Sequence, residues 1–153
     1  MKRILTVQDI SCVGKCSLTV ALPIISACGV ETAVLPTAVL SNHTQFKSWT
    51  FRDLTDDMKG ITDKWEEENI VFDCIYTGYL GSIKQIDIVA DIIKDFKTEK
   101  SFSIVDPAMA DNGKLYAGFD TNFAAAMAKL CGKADYIVPN LTEASFMLGI
   151  PYV

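Results

Sequence analysis

Five short apolar runs, at residues 4–8, 32–40, 72–77, 101–105 and 136–138, constrain this chain more than any other feature. They are rich in Val, Ile, Leu and Thr, which suit a pleated, buried backbone. The segments between them carry helical spacing. Residues 14–28 place Leu18, Leu22 and Ile25 on one face and end at Gly29, where a left-handed cap belongs; Pro23 should kink that helix. Thr55 opens a second helix with Asp56 and Asp57 in its first turn and Met58, Ile61 and Trp65 as its core stripe, while residues 51–54 read as irregular. Ser82 and Gln85 have capping-box spacing ahead of Ile86, Val89, Ile93 and Phe96. Asp120 or Thr121 opens the helix of Phe123, Met127 and Leu130, and Asn140 caps a short one ending near Gly149. Strands alternating with crossover helices predict a doubly wound, mainly parallel α/β sheet with helices on both faces.

At 153 residues with half of them apolar, the chain is expected to be one globular domain. No apolar run reaches the roughly 20 residues of a membrane span, and Gln8-Asp9 interrupts the apolar start, so a cytoplasmic protein is expected. A formal charge of −5 with no basic cluster argues against nucleic acid as a partner. Five scattered cysteines read as free thiols. With His43 the only histidine, a thiolate zinc site is weakly supported.

The chemistry concentrates where strands end, since ligands of open α/β sheets bind there. Ser41-Asn42-His43-Thr44-Gln45 follows the second run, although composition alone favours a plain surface loop. Gly14-Lys15-Cys16-Ser17 invites a phosphate-loop reading and fails it: Asp9 stands where the first glycine belongs, and Cys16 where Ser or Thr should follow the lysine. Gly14 instead fits close approach to a bound ring, or a plain turn. Asp9 is either a ligand contact or a turn residue. Tyr79 could stack on a flat ring or simply pack. Asp106 and Asp111, on one post-strand loop, could hold Mg²⁺ through water or neighbour a triphosphate. Asn140 and Glu143 have the spacing of a helix cap.

Five blocks in this order resemble the pyridoxal kinases of the ribokinase-like superfamily. They are Thr6-Val7-Gln8-Asp9 with Val13-Gly14, Ser41 to Gln45, Thr77-Gly78-Tyr79-Leu80-Gly81-Ser82, Asp106-Pro107 with Asp111, and Pro139-Asn140-Leu141-Thr142-Glu143. The resemblance covers essentially the whole chain. It implies an ATP- and Mg²⁺-dependent kinase acting on the 5′-hydroxyl of pyridoxal, pyridoxine or pyridoxamine. It makes Asp9, Thr44 and Tyr79 vitamin contacts; Asp106, Asp111, Tyr116 and Asn140 neighbours of the nucleotide phosphates; and Asp106 and Glu143 the metal carboxylates. His43 and Asn42 read as loop-holding residues. Two departures stand out. Asp9 occupies a position that is often serine, and Ala110 one that is often glycine.

The resemblance also implies that residues 1–153 are the amino-terminal, vitamin-binding part of one domain. The catalytic aspartate of a Gly-x-Gly-Asp loop is expected beyond Val153, which leaves the chain inactive alone, and a homodimer is the family's expectation. The rival readings are a hydroxymethylpyrimidine kinase of the same superfamily and a non-catalytic α/β binding module.

Overall fold

The computed structural model describes residues 1–152. In chain order its elements are β1 (Arg3–Ser11), α1 (Leu18–Ala27), β2 (Glu31–Leu40), β3 (Phe51–Asp53), α2 (Thr55–Glu67), β4 (Cys74–Thr77), α3 (Ile83–Phe96), β5 (Phe102–Val105), β6 (Ala110–Asp111), β7 (Lys114–Leu115), α4 (Thr121–Cys131), β8 (Tyr136–Ile137) and α5 (Leu141–Leu148). Six strands form one sheet in the order β3-β2-β1-β4-β5-β8, parallel except for β3. β6 and β7 make a separate small hairpin.

Strand alternation sorts the side chains onto two faces. Leu5, Val7, Leu35, Ile75 and Val105 are fully buried and meet α2, α3 and α4 through Met58, Val89 and Met127. Trp65, Phe72 and Phe96 close one end of this core, with ring centroids 5.6, 6.4 and 5.5 Å apart in edge or tilted packing. The opposite face carries Gln8 and Tyr76 and is covered by α1, the helices thus lying on both faces as expected.

Several expectations need correction. The first helix begins at Leu18, not near Gly14, and Ser17 precedes it with φ 51° and no side-chain cap. Residues 11–17 instead fold back on β1 through an Ile10–Ser17 bridge. Pro23 does lie within the helix. Residues 51–53 are not irregular: they pair antiparallel with the end of β2 and add a sixth strand to the five expected. Thr55 is the first helical residue rather than its cap, and Asp53 accepts the Thr55 N–H at 2.7 Å. The loop after β5 contains the β6–β7 hairpin.

Other readings hold. Ser82 caps α3, Asp120 caps α4, and Gly29 and Gly149 are left-handed after their helices. All five cysteines are free; burial pushes the Cys74 and Cys131 thiols up to about 11, which keeps them protonated and inert. No helix of the structure is long and apolar enough to cross a membrane.

Phe72 belongs to the aromatic end of the core and is 3% exposed. Phe72→Ala should cost about 3–5 kcal/mol, since the void cannot close between two fixed rings. Urea unfolding followed by far-UV circular dichroism measures this. A loss below about 1 kcal/mol would mean that the cluster is loosely packed.

Candidate active site

Parallel pairing brings the carboxyl ends of β1, β2, β4 and β5 to one edge. Beside it lies a cleft of about 520 Å³, between α1 and the strand ends, lined by Gln8, Lys15, Tyr76, Gly78, Tyr79 and Asp106 among others. Gly78 has to be glycine there: a β-carbon would stand 2.9 Å from the Gln8 side chain. Gln8 itself is 3% exposed and donates to the Thr6 hydroxyl at 3.0 Å. Burial, with the charge of Asp106, raises the Tyr76 hydroxyl, and a bond to Gln8 opposes the rise. Sequence reasoning missed Tyr76. Its signal was alternation: it shares a face with Gln8, two strands' width of polar atoms inside an apolar run.

Of the three residues expected at the ring, only Tyr79 lines this cleft. Asp9 follows Gln8 and therefore faces the other side of the sheet, 4% exposed, with Oδ2 accepting from the Ser11 hydroxyl at 3.2 Å. The two nevertheless communicate. The Tyr79 hydroxyl is raised first by burial and then by the charges of Asp9 and Asp53. Its ring lies 5.7 Å from that of Phe119. Tyr79 thus lines the cleft, and the Asp9 charge reaches its hydroxyl.

Thr44 stands exposed on the loop after β2. Its neighbours shape that loop, as expected of them. The Ser41 hydroxyl donates to Asn42 Oδ1 at 2.7 Å and accepts the Thr50 N–H at 2.9 Å. Asn42 Nδ2 donates to the Ser48 carbonyl at 2.9 Å, and His43 Nδ1 accepts the Gln45 N–H at 3.3 Å. The loop is anchored to residues 12–14 by the His43 N–H on the Val13 carbonyl at 2.8 Å. Gly14, with φ 123°, lies so close that a β-carbon would sit 2.5 Å from His43 Cβ. The close approach that Gly14 permits within the chain is to His43.

The acidic residues converge on the loop after β5. Glu143 is 3% exposed; Oε1 accepts the Met109 N–H at 3.2 Å and Oε2 the Asn140 N–H at 2.9 Å. Asn140 Oδ1 accepts the Glu143 N–H at 2.9 Å, completing a reciprocal cap, while its Nδ2 donates to the Ala110 carbonyl at 2.8 Å. The motif is therefore a helix cap and a clamp on the post-β5 loop at once. Asp111 is turned to its own hairpin, accepting the Asn112 N–H at 2.8 Å, and the hairpin tip docks on α5 through Gly113 N–H to the Thr142 hydroxyl at 3.0 Å. Tyr116 is partly exposed, and its hydroxyl is raised by burial and by the charges of Glu143, Asp111 and Asp106.

Burial, then the Glu143 charge, pushes the Asp106 carboxyl up to about 6. Burial also raises Glu143, but backbone N–H groups of Asn140, Met109 and Ala110 oppose it. These backbone bonds favour the Glu143 carboxylate, whose charge adds to the burial that holds the Asp106 proton. A cation between them would relieve that repulsion, so the pair fits a hard divalent metal. Among the described residues no three His, Cys, Asp or Glu side chains gather as a metal site. Two carboxylates with water would have to suffice, as suits Mg²⁺.

Comparison with known proteins gives this geometry a context. Residues 22–153 match the family model described as phosphomethylpyrimidine kinase. A Bacteroides thetaiotaomicron protein assigned to the phosphomethylpyrimidine kinases, crystallised in an orthorhombic form with pyridoxal, is 50% identical and superposes with a TM-score of 0.96 over 99% of this chain and 53% of that one. The pyridoxal kinase of Lactobacillus plantarum is 34% identical, with a TM-score of 0.94 over 100% of this chain and 55% of its own. The Dictyostelium discoideum pyridoxal kinase is 29% identical over 97% of this chain and 50% of its length. The chain thus spans about half the length of the relatives it matches.

The Asp106 carboxyl offers a direct check. Its value in the folded chain, about 6, lies above the ordinary 3.8, so the bound proton stabilises the fold fully below about pH 4. That contribution is lost as pH rises through about 6. Asp106→Asn removes the titration, so its melting temperature should exceed the parent's at pH 7.5, with the gap closing towards pH 4. An equal gap at both pH values would show that Asp106 titrates as an ordinary surface acid.

Proposed function

The chain belongs to the phosphomethylpyrimidine kinase family, and from that premise we propose that it forms the vitamin-binding side of an ATP-dependent kinase for the 5′-hydroxyl of pyridoxal, pyridoxine or pyridoxamine. The observation that supports the reading is that Tyr79 lines the same cleft as Asp106. A flat pyridine ring could stack at Tyr79, and Thr44 and Asp9 would be its hydrogen-bonding partners. Asp9 accepts only, so it favours the vitamer or ring form that presents a donor. The reactive hydroxyl would then point along Gly78 towards Asp106.

On the phosphate side, Asp106 and Glu143 would hold Mg²⁺ through water, and the metal would supply charge neutralisation for a triphosphate. Asn140 fixes the post-β5 loop, and Asp111 and Tyr116 border the same region. In-line transfer also needs donors facing the transferred group and a base for the hydroxyl proton. Residues 1–153 contain no Gly-x-Gly-Asp segment to provide them. We assign these residues to the amino-terminal part of a single ribokinase-like domain, cytoplasmic and dimeric as the resemblance implies. On this assignment they bind vitamin without turning it over.

A hydroxymethylpyrimidine kinase is the second reading, favoured by the description of the matched family. The relatives named pyridoxal kinases favour the first, as does the Ser41–Gln45 block.

Calorimetric titration with pyridoxal and with hydroxymethylpyrimidine separates the two. Pyridoxal should bind the more tightly. Thr44→Val and Tyr79→Ala should each weaken pyridoxal by about 1–3 kcal/mol, the cost of one lost buried contact. Tighter binding of the pyrimidine would select the second reading, and variants that bind as the parent does would refute the pocket.

In a coupled assay for ADP with Mg-ATP, the chain by itself should show no pyridoxal-dependent turnover above a protein-free blank. Turnover clearly above it would place the base for the hydroxyl proton within residues 1–153.

A further inference from the structure

Gln85 is completely buried, in the first turn of α3, and every polar atom of its carboxamide is engaged. The capping box expected there is only half formed. Ser82 accepts the Gln85 N–H at 3.2 Å, but the Gln85 side chain does not return to Ser82. Its Oε1 accepts the Gly81 N–H at 2.7 Å instead. Its Nε2 donates to the Thr37 carbonyl and to the Thr55 hydroxyl, both at 2.9 Å. The Thr55 hydroxyl passes the chain on to the Asp53 carboxylate.

What these bonds join matters more than their number. Thr37 lies in β2 and Gly81 follows β4, and the two strands are separated in the sheet by β1. Against β1, β2 shifts register after Pro36, with Gln8 opposite Pro36 and Ile10 opposite Val39. Proline has no N–H to give the ladder, and such an irregularity re-aims the backbone beside it. The Thr37 carbonyl accepts from Gln85 and from the Leu54 N–H at 3.1 Å, and its hydroxyl donates to the Tyr79 carbonyl at 3.3 Å. The peptide groups on both sides of the buried Leu80 are therefore held: Tyr79 C=O by Thr37, and Gly81 N–H by Gln85.

We propose that Gln85 is a positioning residue for Tyr79, bracing the turn after β4 against the end of β2 so that the tyrosine ring is held ready before a ligand arrives. The proposal rests on the reading of Tyr79 as a ring contact. The amide orientation is fixed by its partners, since Gly81 offers only a donor and Thr37 only a carbonyl. Glutamate in its place would set an acceptor against the Thr37 carbonyl near the Asp53 carboxylate. Gln85→Met fills the volume and removes the side-chain bonds to Gly81, Thr37, Thr55 and, at 3.5 Å, Asp53.

The test is amide hydrogen exchange by NMR on the 153-residue chain, with pyridoxal titration beside it. In the parent, the Gly81 amide should be protected although it lies in a turn; lack of protection would overturn the brace without any variant. In Gln85→Met, Gly81 exchange should rise by about 10-fold or more, a scale set by one lost buried hydrogen bond, while Val7 and Val89 change by less than about twofold. The Tyr79 ring resonances should move and pyridoxal should bind about 10-fold more weakly. A uniform rise at Gly81, Val7 and Val89 would show a purely structural role and overturn the proposal. Unchanged pyridoxal affinity alongside a loosened Gly81 would overturn it too. Tyr79→Ala separates the two readings. If it leaves pyridoxal binding unchanged, the ring contact is wrong whatever Gly81 does; if it weakens binding and Gln85→Met does not, only the positioning role falls.

Discussion

Parallel pairing around β1 is the constraint on which the rest of this structure depends. A strand hydrogen-bonded in parallel on both sides, as β1 is with β2 and β4, needs helices to return the chain and cover both faces. The same pairing forces every strand of the set to end at one edge. Polar residues that follow an apolar run are gathered there without any interaction of their own. Tyr79 and Asp106 are far apart in the chain and line one cleft for this reason.

At that edge, hydrogen bonds that build the fold also prepare the chemistry. Glu143 completes the cap of α5 and takes the Met109 N–H, so the helix start and the post-β5 loop are fixed by one carboxylate. Burial of Asp106, with the Glu143 charge added, then raises the Asp106 carboxyl to about 6. Removing Glu143 would release Asp106 electrostatically and loosen its loop mechanically. The effects of the two residues cannot be additive.

The order of the large elements was legible because periodicity reports burial, and this core is divided cleanly between strand and helix faces. Boundaries were less legible. Nothing local in Gly14 to Ser17 says that it folds back on β1 instead of starting α1; that follows from the loop against which it packs, some thirty residues later. β3 was invisible for a similar reason, since three exposed residues become a strand only when β2 offers them an edge. At the site, the cap made by Asn140 and Glu143 could be read from spacing, because capping is a local rule; their hold on the loop after β5 could not. The division of Asp9 from the cleft could not, since it depends on which side of β1 each residue faces. Gln85 was read as a cap partner, and Ser82 does accept its N–H, but two of its side-chain partners lie 30 and 48 residues away in the chain.

The position of β1 also has a kinetic consequence. It is made before both of its neighbours: Ile4 pairs with Thr32 on one side and with Cys74 on the other. At a synthesis rate of about 5–20 residues per second, roughly 4–14 seconds separate the making of Ile4 from that of its second partner. During that interval Leu5 and Val7, later the driest residues of the sheet, have one edge unpaired and no α3 to cover them. Closing such long loops is what makes parallel sheets slow to form. The nascent chain spends this time as a half-built sheet, with β1 still lacking its β4 neighbour.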